Sequence, residues 1–271
     1  MLAALGYGLA LLMLVRSDKV AARFGTKHIE LVVFAWMCQM LGLGLLLFAH
    51  SPVRFGFAQA LCATLWVALA VLLYESRSMD VRSLLRALLP VAALTCVLPL
   101  LFAGQSLPAS ASRPEFVLHL VLGTAAYGVL LIAALHALLM VSAQRALQSG
   151  GRETDEGLAQ VGPLFLIGEL PPLMSLEKIL FSLIGLGFIL LSLTLLSGTV
   201  FSGEVFGQPF RFDHKTIFTF LAWLVFAVLL IGRKLRGWRG RTALRFTLVG
   251  FGLLLLGYVG SRFVLEVLLG R

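Results

Sequence analysis

The chain has 271 residues, of which 59% are hydrophobic and 13% charged, so its apolar fraction exceeds the roughly one half that is typical of soluble domains. With a mean hydropathy of +0.98 and no long polar stretch, the composition excludes a soluble domain with its own core. The net charge of +9 would suggest a nucleic acid partner in a soluble protein, but here the charges lie in loops, where they set membrane topology. The sequence therefore predicts one transmembrane domain over residues 1–271, with the lipid bilayer and no nucleic acid as its partner.

Eight apolar runs are long enough to be considered as membrane spans. They cover residues 2–15, 29–49, 55–74, 84–103, 116–143, 179–201, 216–232 and 246–269. Backbone groups in lipid must bond within their own segment, and these runs do not alternate as barrel strands do. The fold class predicted is therefore all-α, a polytopic helical bundle with eight transmembrane helices. The first run is only about 21 Å long as a helix, and Pro90 and Pro99 interrupt the fourth, which favours tilting or kinking of these two.

The Lys and Arg residues indicate the orientation, because they favour cytoplasmic loops. With the N-terminus outside, 16 of the 22 fall in the inner segments. This bias predicts that both termini lie outside, on the periplasmic side. The longest connection, 144–178, is then a cytoplasmic loop and contains an acidic cluster at Glu153, Asp155 and Glu156.

The five histidines are the main candidates for metal or cofactor chemistry, since few other polar residues lie in the apolar runs. On this topology His50, His119 and His214 lie at the outer surface, His28 at the inner surface, and His136 in the inner half of the fifth span. His136 follows His119 at a distance of about 25 Å along the helix, so the two cannot share one ligand site.

Two interpretations of the outer histidines remain open. In the first, His119 and His214 approach each other at the outer ends of helices five and seven and ligate a haem iron from both faces. In the second, both are interfacial histidines that hydrogen-bond water or lipid headgroups. The basic run 233–245 likewise either binds acidic lipid or a cytoplasmic partner, or only fixes topology.

Three segments together resemble a known family. They are 117–139 (VLHLVLGTAAYGVLLIAALHALL), 170–201 (LPPLMSLEKILFSLIGLGFILLSLTLLSGTVF) and 213–251 (DHKTIFTFLAWLVFAVLLIGRKLRGWRGRTALRFTLVGF). In this order they resemble the cytochrome c assembly family of haem-handling membrane proteins, the CcsA, CcmC and HemX relatives. Within that family, the size and the PPLMS and GWRGR strings are most similar to the YpjD-type inner-membrane proteins.

The resemblance implies a haem site at the outer surface. His119, eight residues before Tyr127, matches the family's outer haem-ligating histidine, and Asp213 and Lys215 match the end of the tryptophan-rich loop, with His214 in the place of a proline. The chain departs from the pattern because its connection between helices six and seven has no tryptophan, and Ile231 replaces an intramembrane histidine. These departures imply a smaller or differently built haem site and count against covalent attachment of haem to an apocytochrome.

The function expected from the resemblance is that of an inner-membrane protein that binds haem b through His119 and His214 and supports haem delivery or cytochrome c maturation. It is not expected to be an enzyme. The alternative is an accessory or regulatory protein that has lost the haem site and binds another membrane or cytoplasmic protein through 144–173 and the basic run. A transporter is the third interpretation, although the chain has no obvious inverted repeat.

Overall fold

The computed structural model of the protein describes residues 1–15, 27–48, 54–107, 113–149, 173–206 and 214–257. Helices account for nearly all of these residues, and each of the eight predicted apolar runs corresponds to one of them. Their bounds are α1 Leu2–Val15, α2 Lys27–Phe48, α3 Phe57–Glu75, α4 Arg82–Leu101, α5 Pro114–Ser149, α6 Leu173–Phe206, α7 His214–Arg236 and α8 Gly240–Leu255. The predicted eighth run continues to 269, and its last residues lie outside the described part of the chain.

Six of the described helices, α2 to α7, are long and apolar enough to cross a membrane, and α1 is a shorter apolar helix. Only 17% to 50% of each apolar stretch is buried inside the protein, so the remaining surface is available to lipid. α4 continues through both Pro90 and Pro99 without ending. The predicted class, an all-α membrane protein, is confirmed.

The principal helix contacts form two rings of four. In the first unit α1 packs against α2 and α4, and α3 packs against the same two helices. In the second unit α5 packs against α6 and α8, and α7 packs against these two in the same way. The units meet chiefly where α3 packs against α5. As a result, α5 and α7 occupy diagonal positions of the second unit, with α6 between them on one side and α8 on the other.

The two ends of the bundle differ in character. At one end, called the strand end, β1 Arg54–Phe55 pairs antiparallel with β2 Gln105–Ser106, with Arg54 opposite Ser106. At the other, called the basic end, α7 finishes with three cations in its last turn: Arg233, Lys234 and Arg236. The strand end corresponds to the predicted outer side and the basic end to the predicted inner side.

Glycines allow the backbones of neighbouring helices to approach closely. A Cβ atom added at Gly128 of α5 would lie 2.6 Å from the Cβ of Val67 on α3, and one added at Gly187 of α6 would lie 2.5 Å from the Cδ2 of Leu130 on α5. In lipid, helices associate mainly through such close van der Waals packing. These contacts therefore fix how α5 sits against α3 in one unit and against α6 in its own.

The connection predicted at 144–178 is partly helical. α5 extends to Ser149 and α6 begins at Leu173, so both ends of this stretch belong to helices. Its acidic cluster, Glu153, Asp155 and Glu156, lies outside the described residues, and its cytoplasmic location stays a prediction.

Candidate functional site

His119 lies in the second turn of α5 at the strand end, with its imidazole half-buried against α6. Its Nδ1 atom is 2.8 Å from the Oγ atom of Ser197 on α6. The Ser197 hydroxyl donates to the carbonyl of Thr194 at 2.9 Å, so its single hydrogen is already used. Ser197 Oγ therefore accepts a hydrogen bond from Nδ1–H of His119. With the hydroxyl hydrogen placed in this way, Nε2 of the ring carries the lone pair.

Gly198 allows the ring to lie close to the backbone of α6. A Cβ atom at this position would be 3.1 Å from Cε1 and 3.7 Å from Nδ1 of His119. Within the described part of the chain, no hydrogen bond to Nε2 of His119 is found. The arrangement fixes one nitrogen of the ring and leaves the other available, as is typical of metal-ligating histidines whose second nitrogen is held by a protein group.

His214 is the first residue of α7, and its side chain lies outside the described part of the structure. Its height in the bundle follows from the bond in which Trp223 Nε1 donates to Ser192 Oγ at 2.8 Å. Ser197 lies five residues beyond Ser192 toward the strand end, and His214 lies nine residues beyond Trp223. At 1.5 Å per residue these are about 7.5 Å and about 13.5 Å, so Ser197 and the backbone of His214 both lie on the strand-end side of the Trp223–Ser192 contact.

The structure thus places His119 and His214 at the same end of the same four-helix unit, on helices that occupy diagonal positions. The sequence predicted the shared end but not the diagonal positions of the two helices. The distance between their rings, and the ligation of one iron by both, stay predictions.

Aromatic side chains pack between α6 and α7. The Trp223 ring stacks on Phe188 of α6, with centroids 5.5 Å apart, and on Phe220 of its own helix, at 5.8 Å. Because Trp223 bonds to Ser192, the cluster lies about 7.5 Å deeper than Ser197 along α6. The cluster fills the contact between α6 and α7, and its Phe220 side chain is 52% exposed.

The other three tryptophans are used for packing elsewhere. Trp36 and Trp66 stack with centroids 4.7 Å apart, and each donates to the backbone carbonyl of the other. Trp238 packs on Gly232 at the basic end, where a Cβ atom would lie 2.3 Å from its ring. None of the three contributes to the strand end of the second unit.

The remaining sequence candidates are not brought to this place. His28 lies in the first turn of α2 at the basic end, and His136 is fully buried within α5. His50 and Asp213 lie outside the described residues. Lys215 follows His214, and its carbonyl accepts a hydrogen bond from Thr219 Oγ1 at 2.7 Å.

A second polar cluster lies inside the first unit. Tyr7 donates to Gln39 Oε1 at 2.5 Å, and Gln39 Nε2 donates to the carbonyl of Cys62 at 2.9 Å and lies 3.4 Å from its Sγ atom. All three residues are buried. The Tyr7 hydroxyl pairs with Gln39 Oε1, and Gln39 Nε2 pairs with Cys62. The cluster is therefore a satisfied structural network that ties α1, α2 and α3 together.

Sequence reasoning missed Ser197 and Gly198. The only signal was a small polar Ser-Gly pair near the end of an apolar helix, which is common in membrane helices for packing alone. Their role depends on the register of α6 against α5, which apolar patterning does not specify.

Comparison with known proteins adds a family match. The family model described as Cytochrome C assembly protein matches residues 26–269. Inner membrane protein YpjD of Escherichia coli K12 is 31% identical over 157 residues, which is 58% of this chain and 54% of the relative, so the match spans about half the length of that protein.

Two further relatives match more of the chain. A 28.8 kDa protein of Azospirillum brasilense is 30% identical over 252 residues, covering 88% of this chain and 87% of the relative. Cytochrome c biogenesis protein CcsA of Prochlorococcus marinus is 28% identical over 236 residues, covering 79% and 73%. No solved structure is significantly similar to the chain.

Proposed function

Because the chain belongs to the cytochrome c assembly protein family, we propose that it binds haem b through His119 and His214 and supports haem delivery or cytochrome c maturation. The relative named as a cytochrome c biogenesis protein supports the maturation role, and the relative named as an inner membrane protein supports a location in the inner membrane. On this proposal the protein handles haem without acting as an enzyme.

The observation that carries the proposal is the hydrogen-bonded state of His119. Its Nδ1 is held by Ser197, whose own hydrogen is directed to Thr194, and its Nε2 has the lone pair that an iron ligand needs. An interfacial histidine that only hydrogen-bonds water or lipid headgroups would not need a residue of a second helix to fix its tautomer.

The residues around His119 suit an imidazole ligand of haem. Haem, when bound, would supply a redox-active iron that imidazole nitrogens can ligate. Ser197 orients the His119 ring, and Gly198 lets the ring lie close to the backbone of α6. His214, at the start of α7, would supply the second imidazole from the diagonal helix.

The proposal includes a topology of eight spans with both termini in the periplasm. It is supported by the alternating direction of the helices and by the cations at the basic end, which would face the cytoplasm. Alkaline phosphatase fused after residue 107 should then be active, and the same enzyme fused after Arg236 should be inactive. The reverse pattern would contradict this orientation.

Titration of the purified protein with haemin in mild detergent tests the proposal. The wild type should develop a Soret band that saturates at one haem per chain, and both His119→Gly and His214→Gly should weaken binding at least tenfold. Free imidazole should restore the His119→Gly spectrum, because it can occupy the vacated position.

His28→Gly is the matched control, since it removes a histidine from the basic end of the other unit. It should bind haem as the wild type does. Equal haem binding by the wild type and the His119 variant would contradict the proposal.

A partner-binding role is the second candidate, and the surface of the basic end favours it. Leu235 is 77% exposed among Lys234, Arg236 and Arg239, and Met174 at the start of α6 is 83% exposed. Apolar side chains among exposed cations are suited to an acidic partner protein with apolar contact points.

Co-purification tests this alternative. It predicts a stoichiometric partner in a haem-free preparation, lost when Lys234 and Arg236 are both replaced by Glu but retained in His119→Gly. Loss of the partner in His119→Gly alone would instead link the interaction to the haem site.

A further inference from the structure

A buried acid and a buried histidine meet where the two four-helix units join. Glu75 is the last residue of α3, and His136 lies on α5, the helix that packs against α3 between the units. Oε2 of Glu75 is 3.4 Å from Nε2 of His136, and the exposed fractions of the two side chains are 8% and 0%. Both lie in the half of the bundle nearer the basic end, far from His119.

The hydrogen bonds of His136 determine which of its atoms face Glu75. Nδ1 is 2.9 Å from the carbonyl of Ile132, one turn earlier in the same helix. A carbonyl can only accept, so Nδ1 carries a hydrogen and donates it. Nε2 is therefore the atom whose proton is undetermined, and it is the atom directed at Glu75.

The facing atoms have no other partners. Both carboxylate oxygens of Glu75 and Nε2 of His136 are buried and have no hydrogen bond within the described residues. Buried polar groups in proteins are nearly always hydrogen-bonded, because an unpaired group forfeits its hydration without compensation. Three such atoms in one place indicate that something between them is needed to satisfy them.

Charged groups on the neighbouring elements do not supply the missing hydrogen bonds. On β1 the charged group is Arg54, at the far end of the bundle. The other elements that pack against α3 or α5 carry their charged and titratable groups toward the basic end: Arg77 and Asp80 after α3, Lys27, His28 and Glu30 on α2, Arg82 and Arg86 on α4, Glu177 and Lys178 on α6, and Arg241 and Arg245 on α8. Within the described residues, the ion pair of Glu75 is with His136. Asp80 pairs with Arg82, and Glu177 with Arg239.

A single proton joins the two facing atoms, and without it their lone pairs repel each other. If Glu75 were ionised and His136 neutral, two lone pairs would face each other and an uncompensated negative charge would be buried, at high energetic cost. One proton placed between the two atoms gives either a neutral acid that donates to imidazole or an imidazolium paired with a carboxylate. In both cases one proton is shared by the two facing atoms across the 3.4 Å contact, while Oε1 of Glu75 keeps no hydrogen-bond partner within the described residues.

We propose that Glu75 and His136 form a proton-binding site that holds one proton between Oε2 and Nε2 and thereby fastens the two units together at their inner ends. The site is separate from the proposed haem site and does not depend on it. Because an unfolded chain at neutral pH carries an ionised glutamate and a largely neutral histidine, the folded protein binds more protons. Its stability therefore falls as pH rises above the pKa of an unfolded histidine, about 6.5, by up to tenfold in the unfolding equilibrium per pH unit.

Infrared spectroscopy of the haem-free full-length protein in lipid nanodiscs, over a pH series, tests the proposal. At neutral pH the wild type should show either the stretching band of a protonated carboxyl group or the ring modes of an imidazolium, and Glu75→Gln should remove either signal. Glu177→Gln is the matched control, because Glu177 lies at the same end but is partly exposed and paired with Arg239. It should leave the signal intact.

Thermal unfolding provides a second measurement. Glu75→Gln keeps the shape of the protonated acid and offers a permanent N–H to His136, so its unfolding midpoint should lose the pH dependence of the wild type. The wild-type spectrum alone decides the matter if this variant does not fold. An ionised carboxylate beside a neutral imidazole would overturn the proposal, as would one zinc ion per chain whose removal by a chelator changes the pair's bands.

Discussion

The two histidines of α5 show how one residue type serves two purposes in one helix. His119 at the strand end is half-buried, and a serine from α6 fixes its Nδ1 while Nε2 stays available. His136 toward the basic end is fully buried, its Nδ1 is fixed by its own helix, and its Nε2 faces a carboxyl group. The two rings differ in their exposure and in the group that faces Nε2. An accessible lone pair suits a metal, whereas a buried one beside an acid suits a proton.

Removal of one member of the buried pair should have the largest effect on stability. His136→Leu leaves Glu75 without a partner inside the bundle, and breaking a buried pair in this way costs about 3–5 kcal/mol. Unfolding in mixed detergent micelles measures the loss. The double variant Glu75→Leu with His136→Leu should recover most of it, because no charge is left to bury. A His136→Leu protein as stable as the wild type would show that the pair carries no charge or proton.

Removal of the hydroxyl that holds His119 should have the second-largest effect, on haem binding rather than on stability. Ser197→Ala frees Nδ1 and should weaken haem binding about 10-fold to 100-fold, as is usual when a group that orients a ligand is lost. Haemin titration measures this change. Thr199→Ala is the matched control, because the Thr199 hydroxyl is exposed and bonds only within its own helix. Equal weakening in both variants would remove the special role of Ser197.

The contact between α5 and α6 lies between the two histidines and can be disturbed separately. In Gly187→Ala the new Cβ atom would lie 2.5 Å from Leu130, so the helices must separate, at a cost of about 1–3 kcal/mol. Gly185→Ala on the same helix meets nothing within 4 Å and should be neutral. Because α6 carries Ser197 but not Glu75, Gly187→Ala should weaken haem binding while the infrared signal of the pair is unchanged. Loss of both would show that the two sites are not independent.

The smallest effect is expected at the exposed pair of Asp80 and Arg82, outside the spans. Partial burial raises the pKa of Asp80, but the hydrogen bonds and charge of Arg82 outweigh it and hold the pKa below its usual value. This pair therefore contributes stability above the pKa of an unfolded aspartate and loses it as pH falls. Since about a third of Asp80 is exposed, the contribution is at most about 1 kcal/mol.

The stability contributed by Asp80 and Arg82 falls as pH falls. The stability contributed by Glu75 and His136 has the opposite pH dependence, because it falls as pH rises above about 6.5. Unfolding curves of Asp80→Asn and Glu75→Gln should therefore differ from the wild type at opposite ends of the pH range. Deviations at the same end would mean that one of the two pairs has been assigned the wrong protonation.

The helices and the class of fold could be predicted from the sequence because lipid imposes a simple requirement on length and polarity. Each of the eight apolar runs contains a helix in the described residues, and His119 and His214 fell at the same end because the direction of successive helices alternates. The partners of each histidine could not be predicted. Ser197 lies 78 residues from His119, and Glu75 reaches His136 from a different unit, so both depend on helix register and rotation.

The spin state of bound ferric haem tests the assignment of His119 most directly. Electron paramagnetic resonance of the haem-saturated wild type should show the low-spin signal of two axial imidazoles, and His119→Gly should convert it to a high-spin signal that returns to low spin with free imidazole. The His28→Gly protein should keep the wild-type signal. An unchanged low-spin spectrum in His119→Gly would show that the iron is held elsewhere.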